Sequence, residues 1–144
     1  SPEEFQCLKK NISHQEAHQV ALWNQDEVLS FYLSSQEADS SLIEPLRYNN
    51  VIKVNARSLD SYIRSVIKLL KLEAEGGELE VLEGLNNKIH LIEYISADLG
   101  PERGKSSLST FVPVKNYLEA QNFSLISKNH HRHTFLFRNN NHQS

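Results

Sequence analysis

The stretch Leu69-Leu-Lys-Leu-Glu-Ala-Glu-Gly-Gly-Glu-Leu-Glu-Val-Leu-Glu-Gly84 limits what this chain can fold into more than any other. It opens as a short apolar run, which reads as a buried strand, and closes as an amphipathic helix. Between the two stand Glu73, Glu75 and the pair Gly76-Gly77. A strand that passes through two glycines straight into a helix needs a tight turn, and glycine reaches positive φ there without steric cost. In open α/β sheets, ligands bind just outside the carboxyl ends of the strands. Glu73 and Glu75 therefore stand where chemistry is expected.

The rest of the chain supplies elements for such a sheet. Ser1-Pro2-Glu3-Glu4 reads as a capped helix start, with Phe5, Leu8 and Ile12 on one face. Gln19 to Trp23 reads as a short buried strand and Leu29 to Leu33 as a second, with a polar turn at Asn24 to Glu27. Ser34 to Asn50 is a polar loop, and Val51 to Asn55 alternates as an exposed or edge strand does. Ser58-Leu59-Asp60 opens a helix with Leu59, Tyr62, Ile63 and Val66 on one face. The helix after Gly77 buries Leu79, Val81, Leu82 and Leu85 and is expected to stop near Asn86-Asn87.

Leu91 to Leu99 follows as a strand, with Asp98 near its end and a loop from Gly100 to Gly104 beyond it. Ser109 or Thr110 caps a helix through Phe111, Val114, Tyr117 and Leu118, with Pro113 tolerable in its first turn and Asn122 as its left-handed cap. Phe123 to Ile126 and Thr134 to Phe137 form a hairpin, and Asn139 to Ser144 reads as a disordered polar tail. Alternating strands and helices imply a largely parallel sheet. Leu70, Leu72, Leu82, Ile92, Tyr94 or Ile95, and Phe135 are expected in one core.

Leu70-Lys-Leu-Glu-Ala-Glu-Gly-Gly-Glu-Leu-Glu-Val-Leu-Glu-Gly84 resembles the fourth strand and following helix of FkbM-type methyltransferases. Their usual wording is a hydrophobic strand, Lys-Ile-Asp-Val-Glu-Gly, then a Glu and an apolar helix. Here Glu73 stands for the family's Asp, and Gly77 stands where a side chain is usual. The resemblance runs from Ser1 to about Asn139. It implies a truncated, Rossmann-like class I methyltransferase sheet, mostly parallel and closed by a C-terminal antiparallel hairpin. It also implies S-adenosylmethionine as cofactor and an oxygen on a small molecule or sugar as methyl acceptor. Glu75 and Asp98 become the catalytic candidates, and Ala21, Leu22, Trp23 and Glu73 the cofactor-binding ones.

In that family the strands run 3-2-1-4-5-7-6, and the first strand carries a glycine-rich turn. No G-x-G-x-x-G turn is present here, and Ser1 aligns just after the family's second strand. The expectation is a partial domain over residues 1–138, with exposed sheet edges that favour homo-oligomers and little affinity for the cofactor by itself. A chain without Met that starts at Ser1 agrees with a processed or partial protein.

Composition sets outer limits. A net charge of -3 with 23% charged residues gives no basic excess for nucleic acid. No apolar run reaches the roughly 20 residues of a membrane helix, so no membrane partner is expected. The single Cys7 excludes an internal disulfide and suits a reducing, cytoplasmic setting, where it reads as a helix-face filler.

Each candidate also has a plainer reading. Glu73 and Glu75 could simply solvate a turn, Trp23 could be packing, and Asp98 could pair with Arg103. His130, His131 and His133 read as a solvated turn rather than a metal site, since no Cys or carboxylate lies near them in sequence. His14 and His18 read as surface residues. Against the enzyme stands a second hypothesis, a non-catalytic module of the same fold that binds a protein partner along an open sheet edge.

Overall fold

The computed structural model describes residues 2–12, 16–34 and 40–142. Helix α1 (Pro2–Asn11) starts where the proline predicts. Its expected cap Ser1, and His14, lie outside the described residues. Cys7 is exposed rather than packed against the protein.

Among the described residues the strands form two sheets. In the first, β3 (Asn50–Ser58) lies between β1 (Ala21–Trp23) and β2 (Glu27–Leu33). It pairs in parallel with β1 and antiparallel with β2. The alternation at Val51 to Asn55 is real, but it marks one open face of a central strand, not an edge. The second sheet has the order β4 (Ile67–Leu72), β5 (Ile92–Asp98), β7 (Thr134–Asn139), β6 (Phe123–Asn129). Only β4 and β5 are parallel in it. A single, mostly parallel sheet is thus not what forms. Strand β1 takes its hydrogen bonds from β3, and antiparallel pairings hold most of the rest.

The core lies on one face of the second sheet. Leu72, Leu82, Ile92, Ile95, Phe135 and Phe137 belong to one buried cluster, and Leu70 packs against it. Ile95 takes the core position, while Tyr94 points to the half-open face. Helix α2 (Glu78–Glu83) contributes Val81 and Leu82, and α3 (Phe111–Ala120) contributes Val114 and Leu118. Ser109 Oγ accepts from the Phe111 N–H, and Asn122 has φ +65.

Three expectations give way to tertiary contacts. The helix expected from Ser58 shrinks to a 3-10 turn, Leu59–Tyr62, and Val66 is 51% exposed. Tertiary partners absorb its backbone groups: the Asp60 N–H donates to Gly84 O, and Lys88 Nζ bonds the carbonyls of Asp60 and Ile63. Helix α2 stops at Glu83, short of Asn86, and a 3-10 helix, Asn86–Leu91, carries on to β5. The tail is ordered as far as it is described. Asn139 is fully buried and donates to Ile92 O at 2.9 Å and His90 O at 3.3 Å. Those partners lie far upstream in sequence, so nothing local announces them. Ser144 and the residue before it lie outside the described residues. No helix among the described residues is long and apolar enough to cross a membrane.

Candidate functional site

Leu72 sits opposite Ala97, so β4 and β5 end level with one another. Glu73 and Asp98 therefore leave the sheet side by side, about 4.8 Å apart along the hydrogen-bonding direction. Glu73 is exposed and ion-paired with Lys71. Glu75 follows, half-buried, in the left-handed region at φ +47, and Gly76 has φ +92. Gly77, at φ -99, already belongs to the helix start. The turn is where the two glycines predict, but its left-handed step falls on Glu75-Gly76. A non-glycine residue in that region costs roughly 1–2 kcal/mol. A Cβ on Gly76 would also lie 2.7 Å from Arg103 Cα, closer than real Cβ contacts allow.

The surroundings hold this strained turn by its backbone. The Ala74 and Gly76 N–H groups both donate to Glu78 Oε1, at 3.0 and 3.1 Å. Ser41 Oγ donates to Glu75 O at 2.7 Å, and Arg103 donates to Gly76 O at 2.7 Å. Within the turn, Gly77 N–H donates to Ala74 O at 3.0 Å. The backbone of the turn is thus largely occupied by these bonds.

Arg103 closes a second arm of the site. It forms a two-pronged pair with Glu80, at 2.8 and 2.5 Å, and this pairing raises its pKa above the usual arginine value. The arginine is thus the partner of Glu80, not of Asp98. Asp98 Oδ1 is buried and has no hydrogen-bond partner among the described residues. A buried acceptor left unpaired costs roughly 1–3 kcal/mol.

The β1 candidates separate. Trp23 lies against the acidic turn, its Cζ3 being 3.4 Å from where a Gly77 Cβ would stand. Leu22 packs on the core. Ala21 lines an open cavity of about 580 Å³ together with Phe5, Leu8, Val20, Phe31 and Ile52, between α1 and the first sheet.

His130, His131 and His133 are exposed on the β6–β7 turn, where His130 meets the edge of Phe135. His18 is exposed too, bonded to Glu16. No group of three or more His, Cys, Asp or Glu side chains among the described residues is arranged to hold a metal ion.

Sequence reasoning passed over Ser41, Glu78 and Arg103 as builders of the site. Glu78 carried a signal, an acid two residues past Gly76 at a helix start, but that pattern predicts an exposed side chain. Ser41 sits in the polar loop and reaches the turn only through the fold.

A family model described as the methyltransferase FkbM domain matches residues 1–125. No curated protein and no solved structure gives a match to the chain.

Proposed function

This chain belongs to the methyltransferase FkbM domain family, and from that premise we propose that it carries the acidic-turn half of an S-adenosylmethionine-dependent O-methyltransferase acting on a hydroxyl of a small molecule or sugar. The order β4-β5-β7-β6 supports reading the second sheet as the later half, 4-5-7-6, of a Rossmann-like methyltransferase sheet. The exposed, unpaired Cys7 suits a reducing cytoplasm.

The residues present suit one end of the cofactor. The Trp23 ring beside the turn suits adenine, and the Glu73 and Glu75 carboxylates suit ribose hydroxyls. The glycine-rich turn that would let backbone approach the methionine end is absent from the 144 residues. When bound, the group supplies an electrophilic methyl on a sulfonium centre.

The observation that carries the reading is Asp98 Oδ1, buried without a hydrogen-bond partner among the described residues and level with the acidic turn. In this reading Asp98 accepts a hydrogen bond from a second hydroxyl of the acceptor molecule and so orients the reacting hydroxyl. Glu75, pinned by its own backbone, takes the proton. Orientation of the reactants is the larger part of such catalysis, since the displacement is in line.

Trp23 is the single tryptophan, so its fluorescence reports on the adenosine end. Titration of the chain with S-adenosylmethionine is expected to shift that fluorescence with a Kd near millimolar, about -4 kcal/mol. Adenosine alone should reproduce most of the shift. No response to either compound at saturating concentration sinks the reading. A micromolar Kd, about -8 kcal/mol, would mean that the methionine end is held as well, against the partial-site view.

One observation favours a second reading, the non-catalytic module. Among the described residues strand β4 pairs only with β5, so its other edge can take a strand from a partner, a second copy included. Sedimentation of the purified chain tests it. A monomer at every concentration counts against self-pairing.

A further inference from the structure

Glu78 is fully buried. Its Oε1 accepts from two backbone N–H groups, those of Ala74 and Gly76, which bracket Glu75. Its Oε2 is buried without a hydrogen-bond partner among the described residues. The residue therefore places a carboxylate in the core beneath the turn and ties down both neighbours of the one strained acid of the site.

We infer that Glu78 is the positioning residue of this site: by holding Ala74 and Gly76 it keeps Glu75 in the left-handed conformation from which its carboxylate meets the ligand. The inference rests on the functional reading only for what Glu75 does; the holding of the turn stands apart from it. Without the acceptor, the buried Gly76 N–H and the part-buried Ala74 N–H lose their partner, and the turn has a reason to relax toward ordinary φ values. Ser41 and Arg103 act on the carbonyls of Glu75 and Gly76 and cannot satisfy those donors. Glutamine keeps an acceptor oxygen at the same reach, whereas alanine removes it.

The test compares Glu78→Gln and Glu78→Ala in the full chain. Amide hydrogen exchange reads local opening residue by residue. In Glu78→Ala, exchange at Ala74 and Gly76 is expected to rise about 30-fold relative to Ile95 and Phe137. In Glu78→Gln the rise should stay below about 5-fold, a rescue by the conservative variant. The Trp23 response to adenosine should weaken in Glu78→Ala and largely return in Glu78→Gln.

Equal exchange at Ala74 and Gly76 in wild type and Glu78→Ala overturns the inference. So does a Glu78→Gln variant that opens the turn as fully as alanine. If Glu78→Ala fails to fold, Glu78→Gln and Glu78→Asp decide alone. Aspartate is one methylene too short and must open the turn more than glutamine does. Should wild type give no response to adenosine while the exchange pattern holds, the cofactor reading fails and Glu78 keeps its hold on the turn.

Discussion

The two sheets of this chain are stabilised in different ways. The buried apolar cluster runs from Leu59 to Phe137, on the second sheet, the helices that cover it and the turns that join them. In the first sheet, Ala56 is the only buried apolar side chain among the described strand residues. The second sheet has a core of its own. The first is ordered mainly by hydrogen bonds and leans on the second at a seam. There Leu22 packs on the core, Trp23 lies along α2, Ser41 bonds the acidic turn, and Asp60 bonds Gly84 and Asn86. The candidate site sits along that seam. Its acids come from the cored half and part of its support from the leaning half, so whatever shifts the first sheet also shifts the site.

The hardest way to break the comparison is a charge in each sheet. Leu72 is 5% exposed, and an aspartate there would be a buried, unpaired charge. Leu72→Asp should cost more than about 4 kcal/mol and abolish cooperative unfolding. The matching change in the first sheet, Val54→Asp at a half-buried position, should leave the far-ultraviolet spectrum and a cooperative transition in place. If Leu72→Asp folds cooperatively, the second sheet is not the core.

A milder change separates the halves at the seam. A Cβ on Gly84 would stand 2.2 Å from Trp23 O, so Gly84→Ala must push β1 away from α2. Overpacking of this kind costs about 1–3 kcal/mol. Exchange at Leu22 and Trp23 should quicken, while Ile95 and Phe137 keep their protection. Uniform loss across both sheets would mean that the two are one cooperative unit.

The smallest effect is set by pH. Hydrogen bonds from Ser58 and then Asn86 hold the Asp60 carboxyl below its ordinary pKa, against a smaller opposing effect of burial. A depressed folded pKa means that Asp60 stabilises the seam above its unfolded pKa, about 3.9. That contribution disappears as pH falls through the lower folded value. Melting followed by Trp23 fluorescence should therefore decline in acid from about pH 4 downward, and Asp60→Asn should flatten the decline. An unchanged acid slope in the variant would remove Asp60 from the seam.

Local pattern was enough for some of this and not for the rest. The apolar run before Glu73, the glycines after it and the periodicity from Leu79 to Leu85 are legible because strand, turn and helix each follow from neighbours within a few residues. The hairpin from Phe123 to Phe137 is legible for the same reason. At Val51 to Asn55, alternation shows a half-open face but not how many neighbours a strand has. The short turn at Leu59 shows an amphipathic start overridden by Lys88 and Gly84. Asn139 shows a polar residue buried only because two carbonyls far upstream await its amide.

By itself the sequence determined the family, the strand-turn-helix unit, the acids at its turn and the residues that fill the core, because all of these are written in short-range order and residue type. Tertiary structure alone decided that the strands divide into two sheets, that Arg103 pairs with Glu80, and that Asp98 Oδ1 is left without a hydrogen-bond partner among the described residues. It alone put Glu78 beneath the turn as the acceptor for two backbone groups. The physical reason is the same throughout. A buried polar group must find a partner wherever the packed chain brings one, and that distance cannot be counted along the sequence.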